Sequence, residues 1–66
     1  MKLSIYRKYP VPGGYVVDDV AELEYHAEQI EFVDRRAMGK RFMLISANER
    51  FEIVIDNTNY KYIISA

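Results

Sequence analysis

His26 is the only side chain of this 66-residue sequence whose unperturbed pKa lies near neutrality, and Glu22, Glu24, Glu28 and Glu31 surround it along the chain. An imidazole beside carboxylates is the raw material of general acid–base catalysis. Here no motif supplies a nucleophile, and no third group is placed to orient the ring. His26 therefore reads as an exposed turn or helix-surface histidine, and no catalytic residue is assigned. The absence of cysteine excludes disulfides and thiolate chemistry and removes the usual zinc ligands, and a single histidine cannot build a multi-histidine metal site. Gly13-Gly14 follows Pro12 without a P-loop lysine or a dinucleotide fingerprint, so it is a loop device and not a phosphate cradle. The expectation is a protein that is not an enzyme and uses neither metal nor cofactor.

Charge and tyrosine placement offer more. From Tyr9 to Asp34 there are seven acids (Asp18, Asp19, Glu22, Glu24, Glu28, Glu31 and Asp34) and no Lys or Arg. Arg35, Arg36, Lys40 and Arg41 follow at once, around one turn. Such a basic hairpin suits phosphate or an acidic partner, while a solvated turn balancing the acids beside it is the plainer reading. The acidic stretch 18–34 has two readings as well, a surrogate for nucleic-acid phosphates or a solvated face. Six tyrosines occur without a tryptophan. Tyr6, Tyr9 and Tyr15 flank the proline–glycine segment, and tyrosine is enriched where surfaces bind. Packing of that segment on a sheet would explain them too. The candidate partner-binding residues are Tyr6, Tyr9, Tyr15, Arg35, Arg36, Lys40 and Arg41.

The elements that would carry these residues are clearest in the C-terminal half. Ile30 and Phe32, Phe42 and Leu44, Phe51, Ile53 and Ile55, then Tyr60, Tyr62 and Ile64 repeat with period two, the pattern of half-buried strands. Arg36-Ala37-Met38-Gly39, Asn48-Glu49 and Asn57-Thr58-Asn59 separate them as turns. A meander of strands near 29–35, 40–47, 50–56 and 59–65 is predicted. Setting Phe32 opposite Phe42, Leu44 opposite Ile53 and Ile55 opposite Tyr60 closes all three hairpins and puts every apolar row on one face. The same register leaves Val33, Met43, Ile45, Val54 and Ile63 on the opposite face, mixed with charges. A wet face would be mostly polar, so these five are the candidate self-association surface.

The N-terminal half admits two readings. Leu3, Ile5 and Tyr6 indicate a first strand, ended by a loop over Pro10–Gly14. Over 15–29, Val16, Val20, Leu23, Ala27 and Ile30 fit one helix face, with Asp19 and Glu22 as a capping box. Ala21, Leu23 and Tyr25 alternate as a strand instead, with His26-Ala27-Glu28 as the turn that follows. Strands are preferred, because Val16-Val17 and Tyr25 are strand formers. The order of a Lys2–Lys8 strand, Val20-Ala21-Glu22-Leu23-Glu24-Tyr25, Ile30-Glu31-Phe32 and the Gly39-Lys40 hairpin resembles small uncharacterised β-rich proteins of Gram-positive phages and mobile elements. Those proteins have a simple turn where Tyr9–Gly14 stands here. The resemblance implies strands throughout and brings no catalytic residues with it.

One domain, 1–66, is therefore expected to be all-β, a small antiparallel meander sheet or partly open barrel. The alternative is α+β, with one helix about 19–30 on a four- to five-stranded antiparallel sheet. Half the residues are hydrophobic, enough for a core. A chain of this length buries only about 60% of its unfolded surface and needs support that disulfides or metals cannot supply here. A homo-oligomer, most simply a homodimer, is expected on that ground. No segment reaches the roughly 18–20 apolar residues of a membrane span, and Met1–Lys8 has no apolar h-region, so the expected location is cytoplasmic. The function expected is a non-enzymatic protein-binding module, phage-encoded and acting on a host factor. The alternative is a nucleic-acid-binding module that uses the basic hairpin 35–41.

Overall fold

A computed structural model describes residues 1–66. The chain is all-β, with seven strands in two antiparallel sheets and no helix. The strands are β1 (Lys2–Val11), β2 (Gly14–Val17), β3 (Leu23–His26), β4 (Gln29–Arg36), β5 (Gly39–Ser46), β6 (Glu49–Asp56) and β7 (Tyr60–Ser65). In the first sheet β1 is central. β7 pairs with its residues 2–7 along one edge, while β3 (on residues 2–5) and β2 (on residues 8–11) share the other edge end to end. The second sheet is β4-β5-β6. Neither sheet closes into a barrel.

The helix over 19–30 does not form. Leu23–His26 instead supplies the hydrogen-bond partners that the edge of β1 requires, a demand that a short helix, marginal by itself, cannot meet. Between β2 and β3 the chain bows away from that edge. The Asp18 amide still donates to the Arg7 carbonyl (3.0 Å) and the Glu22 amide to the Ile5 carbonyl (2.8 Å), while Val20 between them is 72% exposed. The acids of this bow stay in water.

The meander's register is partly as expected. Ile30 faces Leu44 and Phe32 faces Phe42. In the next hairpin Leu44 faces Phe51 and Phe42 faces Ile53, two residues away from the expected pairing. The turn there is the two-residue Ala47-Asn48, the favoured hairpin length. A slip of two leaves every side chain on its expected face. The Ile55–Tyr60 hairpin is not formed. Asp56 accepts hydrogen bonds from the Thr58 amide and from Asn59 Nδ2 (both 2.7 Å), and the Asn57 amide donates to the Met38 carbonyl (2.7 Å). This turn carries the chain into the first sheet, where β7 satisfies the second edge of β1. Ile55 and Tyr60 still meet the same core, from facing sheets.

That core is Leu3, Ile5, Ala27, Phe42, Leu44 and Ile55, with Tyr25, Ile30, Ile53, Tyr60, Tyr62 and Ile64 packed against it. Phe42 joins the layers. Its ring meets Phe32 within its sheet (5.8 Å) and Tyr62 from the other (5.1 Å), both edge-on, the geometry aromatic quadrupoles favour. Only 8 of 66 residues are buried, so the core is thin. The radius of gyration of 12.8 Å exceeds the roughly 11 Å of a compact chain of this length, and the molecule measures 44 × 26 × 14 Å. Gly39, read as a turn residue, is the first residue of β5. A Cβ there would lie 2.1 Å from the Ile55 carbonyl oxygen, so glycine is required for close approach and not for a turn.

Gly39→Ala is therefore expected to destabilise by at least about 2 kcal/mol, and Leu44→Ala by about 2–5 kcal/mol, both measured by urea denaturation. The two hydrogen bonds to Asp56 hold its carboxyl below the usual carboxylate range. A depressed folded pKa gives stability that is present above the unfolded value and lost as pH falls through the folded one. In acid titrations, the stability gap between the native chain and Asp56→Ala should be constant at neutral pH. It should shrink on acidification as the carboxyl of the folded chain protonates.

Candidate functional site

Beyond Arg7, β1 loses its neighbour on one side. The last bond of the β7 ladder is from the Lys8 amide to the Asn59 carbonyl (2.8 Å). The next amide on that edge belongs to Pro10, which has no N–H to donate, so the ladder ends there. Residues 8–11 pair only with β2, and a two-stranded arm projects from the sheet. Pro12 followed by Gly13 at φ 86° matches a type II turn and forms the tip. Tyr9 to Val17 contains no charged residue, and every residue from Tyr9 to Val16 is exposed. The expected loop over Pro10–Gly14 is thus reduced to the Pro12-Gly13 turn, because Pro10 is tolerated on a free strand edge.

Cations and tyrosines interleave at the foot of the arm. Lys8 Nζ lies 4.4 Å from the centre of the Tyr15 ring and donates to the Asn57 carbonyl (2.7 Å). The Arg7 guanidinium is 5.9 Å from the rings of both Tyr9 and Tyr60. Lys40 Nζ sits 5.4 Å from the Tyr62 ring and donates to its hydroxyl (3.1 Å). Lys8, Tyr15, Asn57, Tyr60, Lys61 and Tyr62 line an open cleft of about 180 Å³. No carboxylate lines it. The cleft combines π faces with ammonium groups that have no acidic partner, a setting suited to an anionic or aromatic group.

Of the residues singled out from the sequence, Tyr9 and Tyr15 stand on the arm. Tyr6 lies cross-strand from Lys61 beside the cleft. The basic hairpin is divided. A bulge at Val33 shifts the register so that Asp34 faces Arg41 and Arg35 faces Lys40. Arg41 is held between Asp34 and Glu52 (3.4 Å to Glu52), and Arg36 also pairs with Asp34 (3.6 Å). Lys40 turns toward Tyr62, which leaves Arg35 without an ion pair. The four cations of 35–41 therefore do not form one free basic patch. Met43, Ile45 and Val54 do share the outer face of the second sheet, with Val33 at its bulge. Ile63 does not join them, because β7 belongs to the other sheet. His26 ends β3 opposite Lys2, exposed.

Lys8, Asn57, Tyr60, Lys61 and Tyr62 escaped sequence reasoning as site residues. Tyr60 and Tyr62 read as core because of their period-two spacing, and both do pack, partly buried, against the core. The signal available was Tyr60-Lys61-Tyr62 itself, where a lysine splits two rings.

Tyr9 also braces the arm, its hydroxyl donating to Asp18 Oδ2 (3.1 Å). That hydrogen bond first, then desolvation and the Asp18 charge, raise the phenol above its usual pKa. A raised folded pKa gives stability that is present below the unfolded value and lost as pH rises through the folded one. Asp18→Asn should bring the Tyr9 phenol back toward the ordinary range, read by its absorbance change in an alkaline titration. Comparison with protein-family models, with curated proteins and with solved structures finds no match.

Proposed function

We propose that this chain is a non-enzymatic protein-binding module whose contact surface is the arm 8–17 together with the tyrosine–lysine cleft at its foot. One observation carries the reading: a two-stranded arm, uncharged from Tyr9 to Val17, holds Tyr9, Val11, Tyr15 and Val16 in water at 40–53% exposure. A two-stranded ribbon has no core of its own, so burial of these side chains has to come from another molecule. Each would contribute at about 25 cal/mol per Å² of apolar surface covered. Tyrosine also loses little conformational freedom on docking and is prominent among residues that dominate interface energies. The unpaired ammonium groups beside the arm favour a partner that presents carboxylates.

A second reading is favoured by the interleaving itself. Rings that alternate with cations form a surface on which single-stranded nucleic acid stacks. In that reading the contact is made by Lys8, Tyr15, Lys61 and Tyr62, and not by the 35–41 hairpin alone.

The test pairs affinity capture from cell extract with fluorescence anisotropy of labelled single-stranded DNA and RNA. A protein retained by the native chain and released by the folded double variant Tyr15→Ala/Val16→Ser supports the first reading, with an affinity loss of at least about tenfold in purified form. Retention that survives this variant removes the arm as the contact surface. Oligonucleotide binding that weakens with salt and disappears in Lys8→Glu would establish the second reading in its place.

A further inference from the structure

The second sheet has two edges of different character. The β4 edge is broken by the bulge at Val33 and flanked by Asp34, Arg35 and Arg36, devices that discourage strand addition. The β6 edge carries charges of both signs, Arg50, Glu52 and Asp56, but no bulge. Glu49–Asp56 pairs with β5 without interruption over eight residues, contains no proline and has no strand on its other side. Beside it runs a second cleft, again about 180 Å³, in which Ile55 and its β6 neighbour Ile53 lie across from Ile5, Leu23 and Tyr60 on the open side between the sheets, with Val54 and Asp56 of the edge at its rim. Leu23 in this cleft remains 48% exposed, and Phe51 and Val54 of the same edge strand 45% and 54%.

We propose that this edge is closed by a second copy of the chain, with β6 pairing antiparallel to the β6 of its partner about a two-fold axis at Ile53. Hydrogen-bond geometry restricts the register. Ser46 and Glu49 close a two-residue turn, so Glu49, Phe51, Ile53 and Ile55 direct their backbone groups to β5. Arg50, Glu52, Val54 and Asp56 direct theirs to the open edge. Two-fold pairing must match residues of that second set with each other, which leaves few registers. Centring on Glu52 would oppose Glu52 to itself, and centring on Val54 would oppose Glu52 to Asp56. Centring on Phe51 pairs only the first five residues of the strand. Centring on Ile53 pairs seven and sets Arg50 opposite Asp56 twice, Glu52 opposite Val54, and Phe51 opposite Ile55. Arg50 has no ion pair within its own chain, so this partner is the one its charge lacks. Inner-face residues of both copies stay on one side, and the two apolar clefts merge. The contact is isologous, the form most homodimers take.

Sedimentation equilibrium of the native chain from 1 to about 200 µM should show a monomer–dimer equilibrium. Val54→Pro removes an edge donor that β5 does not use, and should weaken the dimer at least tenfold while the circular dichroism spectrum stays native. Arg50→Glu should weaken it by a similar factor. Register is read by cysteine cross-linking, since the chain has no cysteine of its own. Ile53→Cys places two thiols across a pair about 4.5 Å apart at Cα and should form a disulfide-linked dimer on mild oxidation, while Glu52→Cys should not. A monomer throughout the concentration range overturns the proposal. So does a dimer that survives Val54→Pro but separates on Met43→Asp, which would place the contact on the outer face, or one cross-linked through Glu52→Cys and not Ile53→Cys.

Discussion

Every backbone donor and acceptor of a central strand has to be paired on both edges, and β1 imposes that requirement on the whole chain. Ten residues long, it needs more partner than any single strand here supplies. The chain answers with β2 and β3 laid end to end on one side and β7 on the other. The missing helix, the bow at 18–22 and the passage of β7 away from β6 all follow from meeting this demand. Pro10 marks where the demand stops. It withdraws one donor, and past that point the strand becomes half of an arm.

A thin core makes local devices matter more than they would in a larger domain. The Val33 bulge rotates the end of β4 so that Asp34 reaches Arg41, and Arg41 is shared with Glu52 across the strand on its other side. Surface pairs that remain partly solvated, as these do, contribute modestly to stability. Their effect on surface character is larger, because they neutralise two cations of a hairpin that looks basic in one dimension. Lys8 and Lys61 of the first sheet and Lys40 of the second have no carboxylate partner and gather with tyrosines of the first. Positive character thus moves from where the chain concentrates it to where the fold does.

Much of the fold was legible, and the limit has a physical cause. Period-two alternation in 29–65 marks the strands because each has one buried face, and that signal survives a register shift of two, as β5 and β6 show. Alternation does not say which strand lies next to which. Ile55 and Tyr60 have the same pattern whether they pair within one sheet or face each other across two, so the assignment of β7 required the tertiary demand of β1. Residues 15–29 were ambiguous because Val16, Val20 and Ala27 suit a helix stripe as well as interrupted strands. Of the site, Tyr9 and Tyr15 were visible beside an unusual proline–glycine segment. Tyr60 and Tyr62 were hidden by their double service, since each packs against the core and also lines the cleft. Cation–π partners such as Arg7 with Tyr60 are 53 residues apart in the chain and leave no local trace.

The first and last strands lie side by side, Lys2 opposite Ser65, and the Met1 amine reaches the Ala27 carbonyl. Both chain ends therefore leave from one pole of the molecule. The arm tip lies at the far end of β1, about 30 Å away for a strand of ten residues. Any segment joined at either end is held clear of the arm, so tethering the chain to a surface or a second protein there would leave its projecting ribbon free to reach outward. The same adjacency makes the backbone nearly a closed circuit: a short bridge between the ends and a cut at Ala47-Asn48 would preserve every sheet contact except that one turn, while moving both ends to the tip of the β5–β6 hairpin.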